Sequence, residues 1–386
     1  MLRKFMKSAL AAATICLLGV PSATALDLSS GTMQIFGRAG SYWGQISDNN
    51  EHSSTEDSVT YMQNSNEMNL RFAVLQGAFL GYTEIEARSA ATTGTAAQAK
   101  DLTAIQTAIS FMPSRSFDVT FGSCLDLEYS AFAVGSGLAT FNEIPTYKAW
   151  GHSLYTEGDG IKFRYKHANF KAGLSMYTMS AGSTNGFGDG TATNLFAGGR
   201  FGAIEFRASS ISETGSDNPS ISSDDDSKTE SKSTFVGLRY HFSENMSLSL
   251  DNYSSEIEYT KGMINKDSSI ALQYTMKKVG PGNIVATYAT STYKNDETDP
   301  TLGSVLYATA MAAVAQVGYT LNQKVDITDM GLVYEIPMSK NDSRLQLFYM
   351  TKAIKASEPL SMGGFALAEE FTRKQSMLGA GVWLNF

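Results

Sequence analysis

Read for hydrophobic and polar positions, the chain falls into segments of about ten residues in which apolar and polar side chains alternate, the period of a β-strand with two different faces. In TMQIFGRAGSYWGQI (32–46), Met33, Ile35, Gly37, Ala39, Ser41 and Trp43 share one face and Gln34, Phe36, Arg38, Gly40 and Tyr42 the other. EMNLRFAVLQ (67–76) sets Met68, Leu70, Phe72 and Val74 against Asn69, Arg71 and Ala73. LGYTEIEAR (80–88) gathers Leu80, Tyr82, Glu84, Glu86 and Arg88 on its more polar face. GIKFRYKH (160–167) opposes Ile161, Phe163 and Tyr165 to Lys162, Arg164 and Lys166. FKAGLSMYTM (170–179) opposes Phe170, Ala172, Leu174 and Met176 to Lys171, Gly173, Ser175 and Tyr177. STFVGLRYHF (233–242) puts Thr234, Val236, Leu238 and Tyr240 opposite Gly237, Arg239 and His241.

The connections alternate in length. Short ones fall at 76–78, 112–115, 243–246, 277–282 and 339–343; long polar ones at 46–58, 130–159 and 211–233. Tight turns on one side and long loops on the other is the asymmetry of a membrane-spanning β-barrel, and a soluble sandwich gives no reason for it. Segments number seventeen if 308–319 and 325–336 are counted separately. Even parity is expected when both termini lie on the short-turn side. Assigning 301–312 to a loop and joining the rest into one strand ending near Pro337 gives about sixteen, with fourteen and eighteen as alternatives. A barrel of that size leaves room for a water-filled lumen. The expected fold class is therefore all-β, one transmembrane antiparallel barrel.

The N-terminus changes what counts as the folded chain. MLRKFMKS carries Arg3, Lys4 and Lys7, the apolar run ALAAATICLLGV (9–20) follows, and Ala23-Thr24-Ala25 supplies a small-residue cleavage site. These are the parts of a secretory signal peptide, expected over 1–25, with a single barrel domain over 26–386. Without the signal, Lys+Arg falls from 30 to 27 against 38 Asp+Glu, a net charge of −11, which argues against a nucleic-acid partner. One of the two cysteines, Cys16, leaves with the signal, so the exported chain has Cys124 alone and no internal disulfide. Cys124 sits in an apolar run and reads as a small packed residue rather than a nucleophile. Thirty-nine Tyr and Phe with 34 Gly and 8 Pro fit a barrel better than a helical membrane protein. The nearest approach to a membrane helix, 305–321, is Ala-rich and ends in Gln316, Gly318, Tyr319 and Thr320.

The signal peptide, the opening strand MQIFGRAGSYWG, the turn in IPMSKNDSRLQLFYM and the closing GAGVWLNF together resemble the general Gram-negative porin family. The resemblance covers the whole mature chain in layout, through short local motifs. It implies a homotrimer of sixteen-stranded channels in the bacterial outer membrane, in contact with lipid and lipopolysaccharide, inserted by the barrel-assembly machinery and passing ions and small hydrophilic solutes. It also implies a third long loop folded into the lumen, carrying acids that face a basic cluster on the wall. Here that loop is 129–159, and the acids it offers are Glu143, Glu157 and Asp159, with Asp126 and Glu128 just before it. The basic wall maps onto Arg38, Arg71, Arg88, Lys162 and Arg164. Each lies opposite the better apolar row, and a cation facing lipid at mid-depth would cost about 2–4 kcal/mol. The strand that would supply a further arginine reads LTAIQTAISF, with Gln106 in its place.

Other chemistry is thinly represented. The four histidines, His52, His152, His167 and His241, belong to neither H-E-x-x-H nor G-x-S-x-G patterns, and no enzyme activity or cofactor is expected. The acidic run SDDDS (223–227) has no EF-hand spacing and reads as a solvated loop or as a place for cation bridging to lipopolysaccharide phosphates. The rival to a passive channel is a substrate-selective channel, or a surface receptor or adhesin acting through its outer loops. A selective sugar channel would show an aromatic track inside, and Phe36, Tyr42, Tyr82, Tyr177 and Trp383 fall on lumen-side positions. The final strand, KQSMLGAGVWLNF (374–386), places Leu378, Ala380, Val382, Leu384 and Phe386 toward lipid, with terminal Phe386 as the assembly signal that the resemblance implies.

Overall fold

The computed structural model describes residues 31–50, 57–92, 98–123, 132, 159–179, 187–217, 228–259, 264–295, 322–338, 343–359, 361–362, 365–366 and 370–385. The expected signal peptide and cleavage site, Cys124, and Phe386 lie outside them.

The strands are β1 (Gly31–Asn50), β2 (Asp57–Gln76), β3 (Phe79–Thr92), β4 (Gln98–Ser114), β5 (Phe117–Ser123), β6 (Asp159–His167), β7 (Phe170–Met179), β8 (Phe187–Phe201) and β9 (Ile204–Asp217). They continue with β10 (Lys228–Ser243), β11 (Met246–Tyr259), β12 (Ile264–Val279), β13 (Gly282–Asn295), β14 (Asn322–Pro337), β15 (Arg344–Pro359), β16 (Ser361–Met362), β17 (Phe365–Ala366) and β18 (Phe371–Asn385). Sixteen of them pair with sequence neighbours into one closed antiparallel barrel, and β18 closes it against β1. β16 and β17 pair only with each other, in the connection before β18. Closure leaves no edge strand, so every backbone donor and acceptor of the wall has a neighbour to bond, the condition for a sheet to sit in hydrocarbon.

The alternation in the sequence becomes an outside and an inside. Leu195, Val236, Leu238, Leu250, Ile270, Leu332, Leu347 and Leu378 stand exposed on the outer surface. Their sequence neighbours Asn194, Phe235, Ser249, Asp251, Ser269, Val333, Gln346, Phe348 and Met377 are buried on the inner one. This polarity is the reverse of a water-soluble barrel, whose interior would hold the leucines. It has a sharp upper limit. From the short turns upward, the outward rows of β9–β15 and β18 carry no charge for roughly ten residues, the length a tilted strand needs to cross the apolar band. At the turn end, exposed Phe79, Phe111, Phe201, Tyr240 and Phe242 form an aromatic girdle, with Phe79 on Phe111 and Tyr240 on Phe242 at centroid distances of 5.0 and 4.9 Å.

The short connections all fall at this end. Gly77 sits at φ 60°, which a side chain would strain, and supplies the β2–β3 turn. Ala168 takes the same left-handed conformation, φ 48°, in the β6–β7 turn without that freedom. Register in each hairpin follows from its turn: Arg71 pairs with Glu84 across Gly77–Ala78, and Arg239 with Ser249 across Glu244–Asn245.

Candidate functional site: the inner wall

Of the predicted cations, Arg71, Lys162 and Arg164 face inward, and the two arginines are each held by an acid on the neighbouring strand. Arg71 on β2 and Glu84 on β3 are cross-strand neighbours, and Arg71 Nε donates to Glu84 Oε2 at 2.8 Å. Arg164 on β6 lies opposite Asp118 on β5 and donates through Nε to both carboxylate oxygens, at 3.1 and 2.9 Å; Lys166 Nζ is 3.6 Å from the same carboxylate. Lys162 is buried in the same wall, between Thr120 and Ser175 in register. Arg38 and Arg88 occupy register positions on either side of Glu67. The cations on this wall do not stand alone: Glu84 and Asp118, both 6 % exposed, are wall carboxylates beside Arg71 and Arg164. The carboxylates are the buried members, and left without such a partner each would bear the desolvation cost.

The acids expected opposite that wall fare differently. Asp126, Glu128, Glu143 and Glu157 lie outside the described residues. Asp159 is not a lumen acid. It opens β6 in the outward row of Ile161, Phe163 and Tyr165, it is exposed, and its carbonyl accepts a hydrogen bond from Thr178 Oγ1 at 3.0 Å. The strand starts one residue earlier than expected, and alternation then fixes the face.

A second charged group occupies the wall across the lumen, on β9–β11. Arg207 Nη2 donates to Glu205 Oε1 at 3.3 Å, and His241 Nε2 lies 3.5 Å from Glu205 Oε2. Arg239 Nε donates to Ser249 Oγ at 2.9 Å. Between the two guanidinium groups sits Phe132, from the connection that joins β5 to β6. Its ring centroid is 4.1 Å from Arg207 Cζ and 4.4 Å from Arg239 Cζ. Its carbonyl accepts from Arg239 Nη2 at 3.3 Å, and it is 3 % exposed. Gly237 makes the seat: a Cβ there would come within 2.9 Å of the Phe132 ring. At Phe132, then, the third long connection is inside the barrel and docked on the opposite wall, as the resemblance implied, through an aromatic side chain rather than an acid. A polar cavity of about 220 Å³ opens beside this group, lined by Arg239, His241, Glu244, Lys277, Gln273 and Glu335. On its far side Gln346 Nε2 donates to Glu335 Oε1 at 2.7 Å, and Arg344 Nη1 is 3.7 Å from that oxygen.

Parts of the remaining inner wall are small and hydroxylated and pair strand to strand: Ser110 with Thr120 at 2.7 Å, Ser209 with Asn194 at 2.8 Å, Ser233 with Ser255 at 2.9 Å; on β13–β15 and β18 it is apolar, with Val285, Val333, Met350 and Met377 buried together. The side chains of Phe36 and Tyr42 lie outside the described ones; three described rings lie down instead of standing up. Tyr177 covers Gly160 on the next strand, in a register row that runs Ala108, Gly122, Gly160, Tyr177, Ala192, and it packs with Ala108, Ala192 and Tyr82. Phe196 covers Gly173 and Phe348 covers Gly379 in the same way. Trp383 is inward as the alternation required, 3 % exposed, in a cluster with Phe348 and Met377. Tyr177 is 2 % exposed. Rings so packed present no stacking face to a passing solute.

No protein-family description and no curated protein sequence matches the chain. Solved structures do. It superposes on OmpT of Vibrio cholerae, an outer membrane protein in trimer form, with a TM-score of 0.52 at 13 % identity, over 92 % of this chain and 100 % of that one. An anion-selective porin from Comamonas acidovorans gives 0.54 at 12 % identity over 92 % and 100 %. OmpF of Salmonella typhi in complex with daunomycin gives 0.55 at 12 % over 94 % and 100 %. What they share is the fold.

Proposed function

We propose that the protein is a bacterial outer-membrane channel for passive diffusion of ions and small hydrophilic solutes, assembled like the trimeric OmpT barrel it superposes on, and not an enzyme. The observation that carries this reading is the inverted polarity: exposed leucines outside, buried Asp251, Gln346, Lys162, Ser249 and Asn194 inside. A barrel pays the desolvation of such a wall only where its interior serves polar traffic. The Arg71–Glu84 and Arg164–Asp118 pairs on one side and the Arg207–Glu205–Arg239 group on the other set a transverse field across the lumen. Such a field orients dipolar solutes and disfavours apolar ones, which lose hydration without compensation. The packed state of Tyr177 and Trp383 weighs against a sugar-selective aromatic track. Purified, refolded protein in a planar bilayer is expected to give ohmic, water-filled conductance. A folded barrel that conducts no ions would sink the proposal, and saturable block by one solute class would replace it with a selective channel.

A further inference from the structure

At the turn end of the lumen the inner wall is hollowed. Ser247, Thr275 and Val285 lie side by side in one register row across β11, β12 and β13, and all three side chains are short. Longer ones border the row: Arg239 and Gln273 two residues further from the turns, Lys277 and Glu335 nearer to them. The hollow between them is the cavity of about 220 Å³. At about 30 Å³ per water it has room for roughly seven, or for one solute of that bulk. Both signs of charge line it. Arg239 uses Nε on Ser249 and Nη2 on the Phe132 carbonyl, which leaves Nη1 out of both bonds. Lys277 is turned into the hollow by a bulge: β12 slips register between Met276 and Val279, so Lys277 and Lys278 oppose Asn283 alone. Glu335 faces them from β14, with Gln346 Nε2 donating to its Oε1 at 2.7 Å. Gln273 is the group that the chain itself leaves unanswered. It is 8 % exposed, its Nε2 donates to Thr275 Oγ1 at 3.3 Å, and its Oε1 accepts no hydrogen bond from the protein. An amide oxygen buried without a donor is a standing cost, which a donor from outside the chain removes.

We infer that this recess binds a small zwitterion, its ammonium end on Gln273 Oε1 and toward Glu335, its carboxylate on Arg239 and Lys277. The inference rests on the channel reading above, which brings solutes past the recess. Arg239 and Gln273 share a register row with only β11 between them, about 10 Å apart at the backbone. A molecule the size of an amino acid reaches from one to the other with a hydrogen bond at each end. A simple anion of that size would lie against Glu335, and a simple cation against Arg239 and Lys277. An uncharged polyol satisfies Gln273 but leaves both cations as they were. The recess lies in the wall, so a molecule held there stands beside the conduction path and not across it.

The test uses refolded protein in deuterated detergent and reads bound solute by saturation-transfer NMR. The probes are glycine, acetate and methylammonium, which carry both charged ends, the anionic end alone and the cationic end alone. Glycine is expected to bind about tenfold more tightly than either of the others, each of which lacks one charge-assisted contact. Gln273→Met keeps the bulk of the side chain and is expected to weaken glycine about tenfold while leaving acetate unchanged. Lys277→Gln is expected to bring glycine down to the level of methylammonium. Acetate or methylammonium bound by wild type as tightly as glycine overturns the proposal without recourse to any variant. So does unchanged glycine binding in Gln273→Met. Ion conductance of the same samples tests the channel reading separately: it is expected to persist in saturating glycine, and a protein that binds glycine but carries no current would keep the recess and lose the channel.

Discussion

Replacing Phe132 with alanine removes the one described side chain that ties the β5–β6 connection to the far wall. Two guanidinium groups lie on its ring, at 4.1 and 4.4 Å, in a seat where the ring is 3 % exposed. Cation–π contacts at such a desolvated site contribute about 1–2 kcal/mol each, so their loss weakens docking by about 2–4 kcal/mol. At about 1.4 kcal/mol per decade, the undocked population rises by roughly thirtyfold to several hundredfold. The backbone hydrogen bond from Arg239 to the Phe132 carbonyl survives the substitution, which keeps the connection near its seat rather than releasing it outright. Single-channel recordings of F132A are therefore expected to show added open-state noise and a second conductance level, where wild type shows one. Phe132→Leu separates the causes, because leucine fills the seat without a π face. It is expected to fall between wild type and F132A. Recordings of F132A that match wild type would refute the docking argument, and an F132L channel equal to wild type would reduce Phe132 to an apolar filler.

Asp118→Asn removes the carboxylate that Arg164 and Lys166 share, so reversal potentials in a salt gradient are expected to move toward anion preference; Arg71→Gln, which strands Glu84, should move them toward cations, and no movement in either would place these pairs off the conduction path. Leu272→Arg puts a cation in the middle of the apolar belt and should lower the unfolding free energy in lipid by about 2–4 kcal/mol, read from denaturant titration in vesicles. Gly173→Ala meets the Phe163 carbonyl at 2.2 Å and the Phe196 ring at 2.4 Å and should destabilise by about 1–3 kcal/mol, while Gly331→Ala, whose nearest neighbour is Met350 at 3.8 Å, should be close to neutral.

Strands and faces were legible because alternation is a local property. Trp383 inward, Leu378 outward and the run from Thr234 to Tyr240 all follow from period two, and the structure keeps them there. Pairs within a hairpin were legible in principle: Arg71 and Glu84 are equidistant from the Gly77–Ala78 turn, so the turn alone fixes their register. Glu84 nonetheless stood in the sequence only as one of several polar-face residues. Asp118 and Arg164 pair across the longest connection in the chain, and Glu205 and Arg239 pair across the β9–β10 connection. No turn sets those registers, so the acids on the wall went unassigned and only loop acids were set against the cations. Phe132 gave no signal because its partners are more than seventy residues away and its own surroundings, SAFAVG, resemble any apolar loop. Asp159 was misplaced because a strand boundary shifted by one residue exchanges inside for outside.

The rings laid over glycines have a consequence for the bore. A side chain that projects from a wall narrows the conduit by its own length and moves whenever its torsions change. Tyr177, Phe196 and Phe348 instead lie flat over glycines of adjoining strands, so their bulk thickens the tube laterally instead of projecting into the bore. Each ring also spans a seam between two strands, the place where a sheet in bilayer would first part under tension. The abundance of both residue types in this chain is then one adaptation: the glycine is the recess and the aromatic is the rivet, and widening the channel by trimming such a ring would loosen the wall before it enlarged the opening.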